Sequence, residues 1–226
     1  MTLAHNLRRK AASGGGGGGW SGTFSFIGSC ESISSALDFS SLSAGSVSAG
    51  DLLVYFDYAG NSASTTPTSV TPSGFTNLSD VAQTTGTTRY RGMISVKNAA
   101  GGEGAITGMD DATEDKVGLV FRPSTSFTTI SGNDIAAVLD TANPSVQTCD
   151  PSAETEAVIV LGVAAQFSST VGFSTASPAF DGAVSNSDLD MIVGYKIYNS
   201  SPASHNIDKI DHGTANWLAS LYLKVD

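Results

Sequence analysis

Apolar and polar residues alternate along most of the chain with a period of two, in short runs. GTFSFIG, residues 22–28, sets Phe24 and Phe26 between small polar residues, the pattern of a first strand with one buried face. DLLVYFDY, 51–58, is almost continuously apolar and rich in β-formers, which suits a central strand covered on both faces. RYRGMISVK, 89–97, puts Tyr90, Gly92, Ile94 and Val96 on one face and Arg89, Arg91, Met93, Ser95 and Lys97 on the other, predicting a strand with one solvated side. Further strands are expected at VGLVF (117–121), IAAVL (135–139), AVIVLGV (157–163), MIVGYKIY (191–198) and WLASLYLKV (217–225). TPSGF (71–75), AAGGEG (99–104), SGND (131–134) and DTANPS (140–145) read as the turns and loops between them. Eight or more strands without a sustained helical period predict an all-β domain, an antiparallel two-sheet β-sandwich of jelly-roll-like type. One short helix has room in a connection, around Asp110 to Lys116.

The first residues break this pattern. TLAHNLRRKAA, 2–12, consists of good helix formers after a Thr2 cap, with Leu3 and Leu7 four apart on one face beside Arg8, Arg9 and Lys10. Eleven residues rarely hold a helix alone in water, so this arm is expected to be extended or partly helical and to order against a partner. Glycines from Gly14 to Gly19 then supply backbone freedom and no side chains, up to Trp20, where the period of two begins. The chain therefore divides into a basic anchoring arm (1–13), a glycine-rich linker (14–21) and one sandwich domain (22–226). The Arg8–Arg9 pair also occurs in twin-arginine export signals, but glycines stand where such a signal has its apolar region, so export is not expected.

Composition sharpens this division. The 226 residues suffice for one large β domain or two small ones, and one is expected. Charged residues make up 14% of the chain, against about 25% in an average soluble protein, in keeping with many polar turns built from Ser, Thr and Gly. Removing the three positive charges of Arg8, Arg9 and Lys10 from the net charge of −10 leaves −13 on the rest of the chain. An acidic body repels phosphate backbones, so nucleic acid is not an expected partner. No apolar run reaches the length of a membrane span. Cys30 and Cys149 make no disulfide framework and are expected as two unpaired, small core residues.

Candidate chemistry is sparse. MDDATED, 109–115, gathers Asp110, Asp111, Glu114 and Asp115, enough carboxylates for a calcium ion but without EF-hand spacing; a solvated loop is the expectation, with no metal and no cofactor. A second acidic group, Asp181, Asp188 and Asp190, invites the same reading. SHNIDKIDH holds His205, Asp208, Asp211 and His212, so a hydrolase built on the His205–His212 loop is an alternative, although no G-x-S-x-G or G-D-S-G segment supplies the nucleophile. Zinc is not expected there, since no cysteine accompanies the two histidines. Tyr55, Tyr58, Phe75, Tyr195 and Tyr198 are candidates for stacking on sugar rings, the basis of a stand-alone carbohydrate-binding module as a further alternative.

Four stretches matter together: SVSAGDLLVYFDY (46–58), TPSGFTNLSD (71–80), MISVKNAAGGEG (93–104) and NWLASLYLKV (216–225). A Gly-Asp turn into an apolar strand, Pro-Ser-Gly-aromatic-Thr about twenty residues on, a strand ending in Lys and a Trp-led closing strand resemble a β-sandwich domain of tailed-bacteriophage structural proteins. The resemblance covers roughly 22–226. It implies that Gly50–Asp51 and Pro72–Ser73–Gly74 form the turns into successive strands, and it brings no catalytic residues. It also implies a non-enzymatic virion protein, assembled in the host cytoplasm and exposed on the particle exterior as a head decoration or a tail- or fibre-associated host-attachment module. Such a protein is expected to be a homo-oligomer, to touch a host-surface glycan, and to be held to capsid or tail subunits by Leu3, Leu7, Arg8, Arg9, Lys10, Gly14, Gly19 and Trp20.

Overall fold

The apolar runs become strands that pair antiparallel throughout. A computed structural model describes residues 20–34, 36–61, 65–85, 87–109, 114–140, 146–166, 170–188, 190–210 and 216–226. Among them fifteen strands form: β1 (Phe24–Ser32), β2 (Ala36–Asp38), β3 (Leu52–Asn61), β4 (Thr76–Thr85), β5 (Thr88–Asn98), β6 (Ala105–Thr107), β7 (Glu114–Pro123), β8 (Ile130–Asp140), β9 (Gln147–Cys149), β10 (Val158–Gln166), β11 (Gly172–Ser177), β12 (Gly182–Ser185), β13 (Met191–Tyr198), β14 (His205–Ile210) and β15 (Asn216–Val225). One five-stranded sheet has the order β1-β7-β3-β5-β4 and a second has β12-β13-β10-β15-β8. They face each other across a core of Val54, Phe56, Tyr58, Leu119 and Phe121 from the first sheet and Ile159, Leu161, Val163, Trp217 and Leu221 from the second. The two-sheet antiparallel sandwich expected from the pattern is the observed architecture.

The strands divide between the sheets by halves of the chain, so a single crossing, residues 124–129, joins sheets that a jelly roll would interlace strand by strand. Numbered by appearance within its half, each sheet reads first, fifth, second, fourth, third. The short strands follow suit. β2, between the first and second, pairs with β6, between the fourth and fifth; β9 and β14 stand and pair in the same way in the second half. Aromatic contacts join the sheets: Tyr195 of β13 packs on Phe26 and Phe121, while Trp217 of β15 stacks on Tyr58. The sandwich is thus an internal pair related by an approximate twofold axis along the strands, although no repeat is visible in the sequence.

Each sheet also carries a roof. Connections that cross from strand to strand lay Leu37, Phe39 and Phe75 over Leu53, Tyr55, Met93 and Val120 on the outer face of the first sheet. On the second sheet, Cys149 packs with Val158, Val160 and Tyr222, and Phe173 and Phe180 pack with Ala164 and Leu218. These roofs correct the expected solvated side of RYRGMISVK: Met93 and Ser95 are wholly buried, and only Arg89, Arg91 and Lys97 reach the margin. SGND is not a turn. It lies inside β8 as a bulge, where Asp134 has φ 48° and the register against β15 slips between Ser220 and Tyr222. Glu114 to Lys116 belong to β7, not to a helix, because Asp115 and Lys116 pair in register with Tyr58 and Asp57. The arm 1–13, the linker as far as Gly19, and Asp110 and Asp111 lie outside the described residues.

Candidate functional site

The two ends of the sandwich differ in chemistry. At one end the body begins and finishes. The Trp20 indole donates to the Ser126 carbonyl at 3.2 Å and packs 4.7 Å from the Phe24 ring, while Thr23 and Ser124 exchange backbone contact through a 2.8 Å bond. Asp226 pairs with Thr129 at the same crossing, so both termini of the described body leave from this end. Trp20 is half-buried against the body; the remaining residues of the predicted anchor precede it, outside the described part.

The expected turns before β3 and β4 lie at this end too. Gly50 has φ 88° and Gly74 φ 80°, a region that L side chains avoid, and the Phe75 amide closes on the Pro72 carbonyl at 3.0 Å. Asp51, 1% exposed, is gripped by Arg122: Nε donates to Oδ1 and Nη2 to Oδ2, each at 2.8 Å, and Nη2 also donates to Ser48 Oγ and the Ser46 carbonyl. The bidentate clamp ties the turn before β3 to the end of β7.

At the opposite end, roughly 30 Å away along the ten-residue β7, carboxylates meet. Asp115, 5% exposed on the core side of the rim, accepts a 2.6 Å hydrogen bond from Asn186 Nδ2, whose Oδ1 accepts from the Met191 amide. Burial pushes the Asp115 carboxyl up to about 7, helped by the negative charges of Asp190 and Asp188. Behind this rim, beneath the roof, Asp57 and Lys116 are both wholly buried and stand 3.6 Å apart. The arrangement can hold or release a proton at Asp115 near neutral pH, and it joins the two sheets through Asn186.

Several predicted groups are dispersed. Asp115 of the first acidic run meets Asp188 and Asp190 of the second, whereas Asp181 is elsewhere, binding Lys196 at 2.9 Å and the Ile197 amide at 2.8 Å. Among the described residues no set of three or more His, Cys, Asp or Glu side chains converges as metal ligands. His205 is wholly buried and stacks 5.1 Å from Phe180; burial pulls its pKa down to about 4, so it is neutral and inaccessible to a substrate. Asp208 lies on β14, and Asp211 and His212 fall outside the described residues. Tyr55, Tyr58 and Phe75 are buried and cannot stack on a sugar; Tyr195 is packed against Phe26 and Phe121, and Tyr198 lies under Lys196. Cys30 and Cys149 are buried free thiols, pushed up to about 12 by burial. Sequence reasoning missed Asn186 and the Asp57–Lys116 pair, the former in an ordinary Ser-Asn turn and the latter split between two separate strands. Comparison of the chain with protein-family models, with curated proteins and with solved structures gives no match.

Proposed function

We propose that this chain is a non-enzymatic structural protein of a tailed-phage virion, fastened by its first nineteen residues to a capsid or tail subunit and presenting the sandwich outward. The observation that carries this reading is the polarity of the body. Trp20 is locked to the crossing at one end, so the basic arm departs from there, and the acidic rim of Asp115, Asp188 and Asp190 faces the other way. The Gly50–Asp51 and Pro72–Ser73–Gly74 turns at the arm's end belong to the segments on which the resemblance to phage β-sandwich modules rests, and Arg122 clamps the first of them. A positive arm on a negative body also favours docking by the arm alone, since the body repels an acidic surface that the arm binds.

The test is assembly. A chain lacking residues 1–19 should fold with an unchanged melting temperature and fail to join particles when supplied to arm-free virions in place of the full-length protein. Incorporation of the truncated chain at the full-length level would overturn the anchoring role. Protease protection of the arm, with the body still accessible on intact particles, would be the matching positive result.

A further inference from the structure

Asp57 and Lys116 sit directly opposite each other on β3 and β7, on the outer face of the first sheet. Both side chains are 0% exposed, so each ion has exchanged its hydration for partners within the protein. The internal symmetry supplies a control. Asn98 ends β5 and Asn199 follows β13, and each bonds across to the start of the other half: Asn98 to the Phe127 carbonyl, Asn199 to the Phe24 backbone. Aligned on these residues, Asp57 and Lys116 correspond to Gly162 and Ser220, which also stand opposite each other in register. The same position of the same fold therefore forms without charge, and the pair in the first half calls for a chemical reason of its own.

We propose that Lys116 and Asp57 form an intramolecular amide that staples β3 to β7 beneath the roof. The Lys116 Nζ is 3.6 Å from Asp57 Oδ1 and is steered by a 3.0 Å hydrogen bond to the Ser34 carbonyl. Asp57 Oδ2 accepts from the Tyr55 hydroxyl at 2.6 Å and from the Met109 amide at 2.8 Å. One carboxylate oxygen thus already has two donors, while the other faces the amine.

The chemistry balances within the pair. A proton passes from the ammonium to Oδ1, giving an amine and a carboxylic acid. The nitrogen lone pair attacks Cγ, the C–N bond forms, and negative charge develops on Oδ2, where the Tyr55 and Met109 donors stabilise it. Collapse of this intermediate breaks the bond from Cγ to Oδ1, which leaves as water with the transferred proton and a second proton from the nitrogen. The amide keeps the third. Fixed juxtaposition in the folded state replaces the activation that amide formation otherwise needs.

This inference rests on the buried pair and is independent of the virion reading. Intact-mass measurement of the denatured full-length chain tests it. The expected mass is one water below that of the sequence, after allowing for any removal of Met1. Proteolysis should then give a branched peptide joining the Asp57 segment to the Lys116 segment, with no tryptic cleavage after Lys116. Lys116→Arg, which keeps the positive charge and removes the nucleophile, should restore the full mass, as should Asp57→Ala. A folded wild-type chain of full sequence mass that trypsin cuts after Lys116 would overturn the proposal, and so would a one-water deficit that survives Lys116→Arg.

Discussion

Asp115 and Asp51 show how differently two buried carboxylates behave on one scaffold. Asp51 is matched by the full fork of Arg122, and losing that partner leaves its charge with the Ser48 amide in a buried turn. Arg122→Ala should therefore destabilise the fold by about 2–3 kcal/mol, the scale of hydrogen bonds to charged groups, measured by urea denaturation at pH 7. Asp115 has a neutral amide donor and carboxylate neighbours, and its pKa stands above the unfolded value of 3.8, at about 7. Between those two values the folded chain holds the proton more tightly than the unfolded one, so this residue's contribution to stability is full below the lower value and is lost as pH rises through the upper. The melting temperature of the wild-type should thus show a decline between pH 4 and pH 7 that Asp115→Asn removes; an unchanged slope in the variant would assign the decline to other groups. Neither behaviour was legible in the sequence, where Asp115 reads as one of four acids in a loop. Its partner Asn186 is 71 residues away, and only the meeting of the two sheets brings them together.

Among the elements, the strands with strict alternation or unbroken apolar runs were legible because burial on one face or both leaves a period in the sequence. β1, β3, β5, β7, β8, β10, β13 and β15 belong to that set. β4, with the sequence TNLSDVAQTT, did not declare itself: it is an edge strand that keeps polar residues on its open side, so its pattern is diluted. The three-residue strands β2, β6 and β9 are too short to carry a period at all. The roofs were invisible for another reason, since a face covered by a connection looks solvated until the path of that connection is known. Gly118 marks one such cover. A Cβ there would come within 2.8 Å of Cys30 Sγ and Phe39 Cε1 and 2.9 Å of Leu37 Cδ2. Gly118→Val should lift the roof from the sheet at a cost of about 1–3 kcal/mol, the range for overpacked cores, read as a lower urea midpoint with an unchanged denaturant slope.

For the whole molecule, the approximate twofold axis has a direct consequence for chain order. Thr23, Ser124, Thr129 and Asp226 gather at one end, and one segment links the halves. A circular permutant that starts at Phe127, ends at Ser126 and joins Asp226 to Trp20 through a short flexible linker should fold to the same sandwich, with the near-ultraviolet circular dichroism of the parent. Loss of that signal would mean that the 124–129 crossing is needed for folding and not only for connection. The repeat escaped sequence reading because the halves share a path and not residues: Asp57 and Lys116 on one side stand where Gly162 and Ser220 stand on the other.

Trp20 has a mechanical meaning as well. Tension entering the body at this residue and resisted at the acidic rim runs lengthwise along β1, whose pairing with β7 extends from Phe24 opposite Pro123 to Ser32 opposite Lys116. Hydrogen bonds of that ladder lie across the pull, so they bear it together in shear instead of opening one after another like a zipper. A chain tugged by its arm would resist as a glued lap joint does, yielding only when the whole overlap slips.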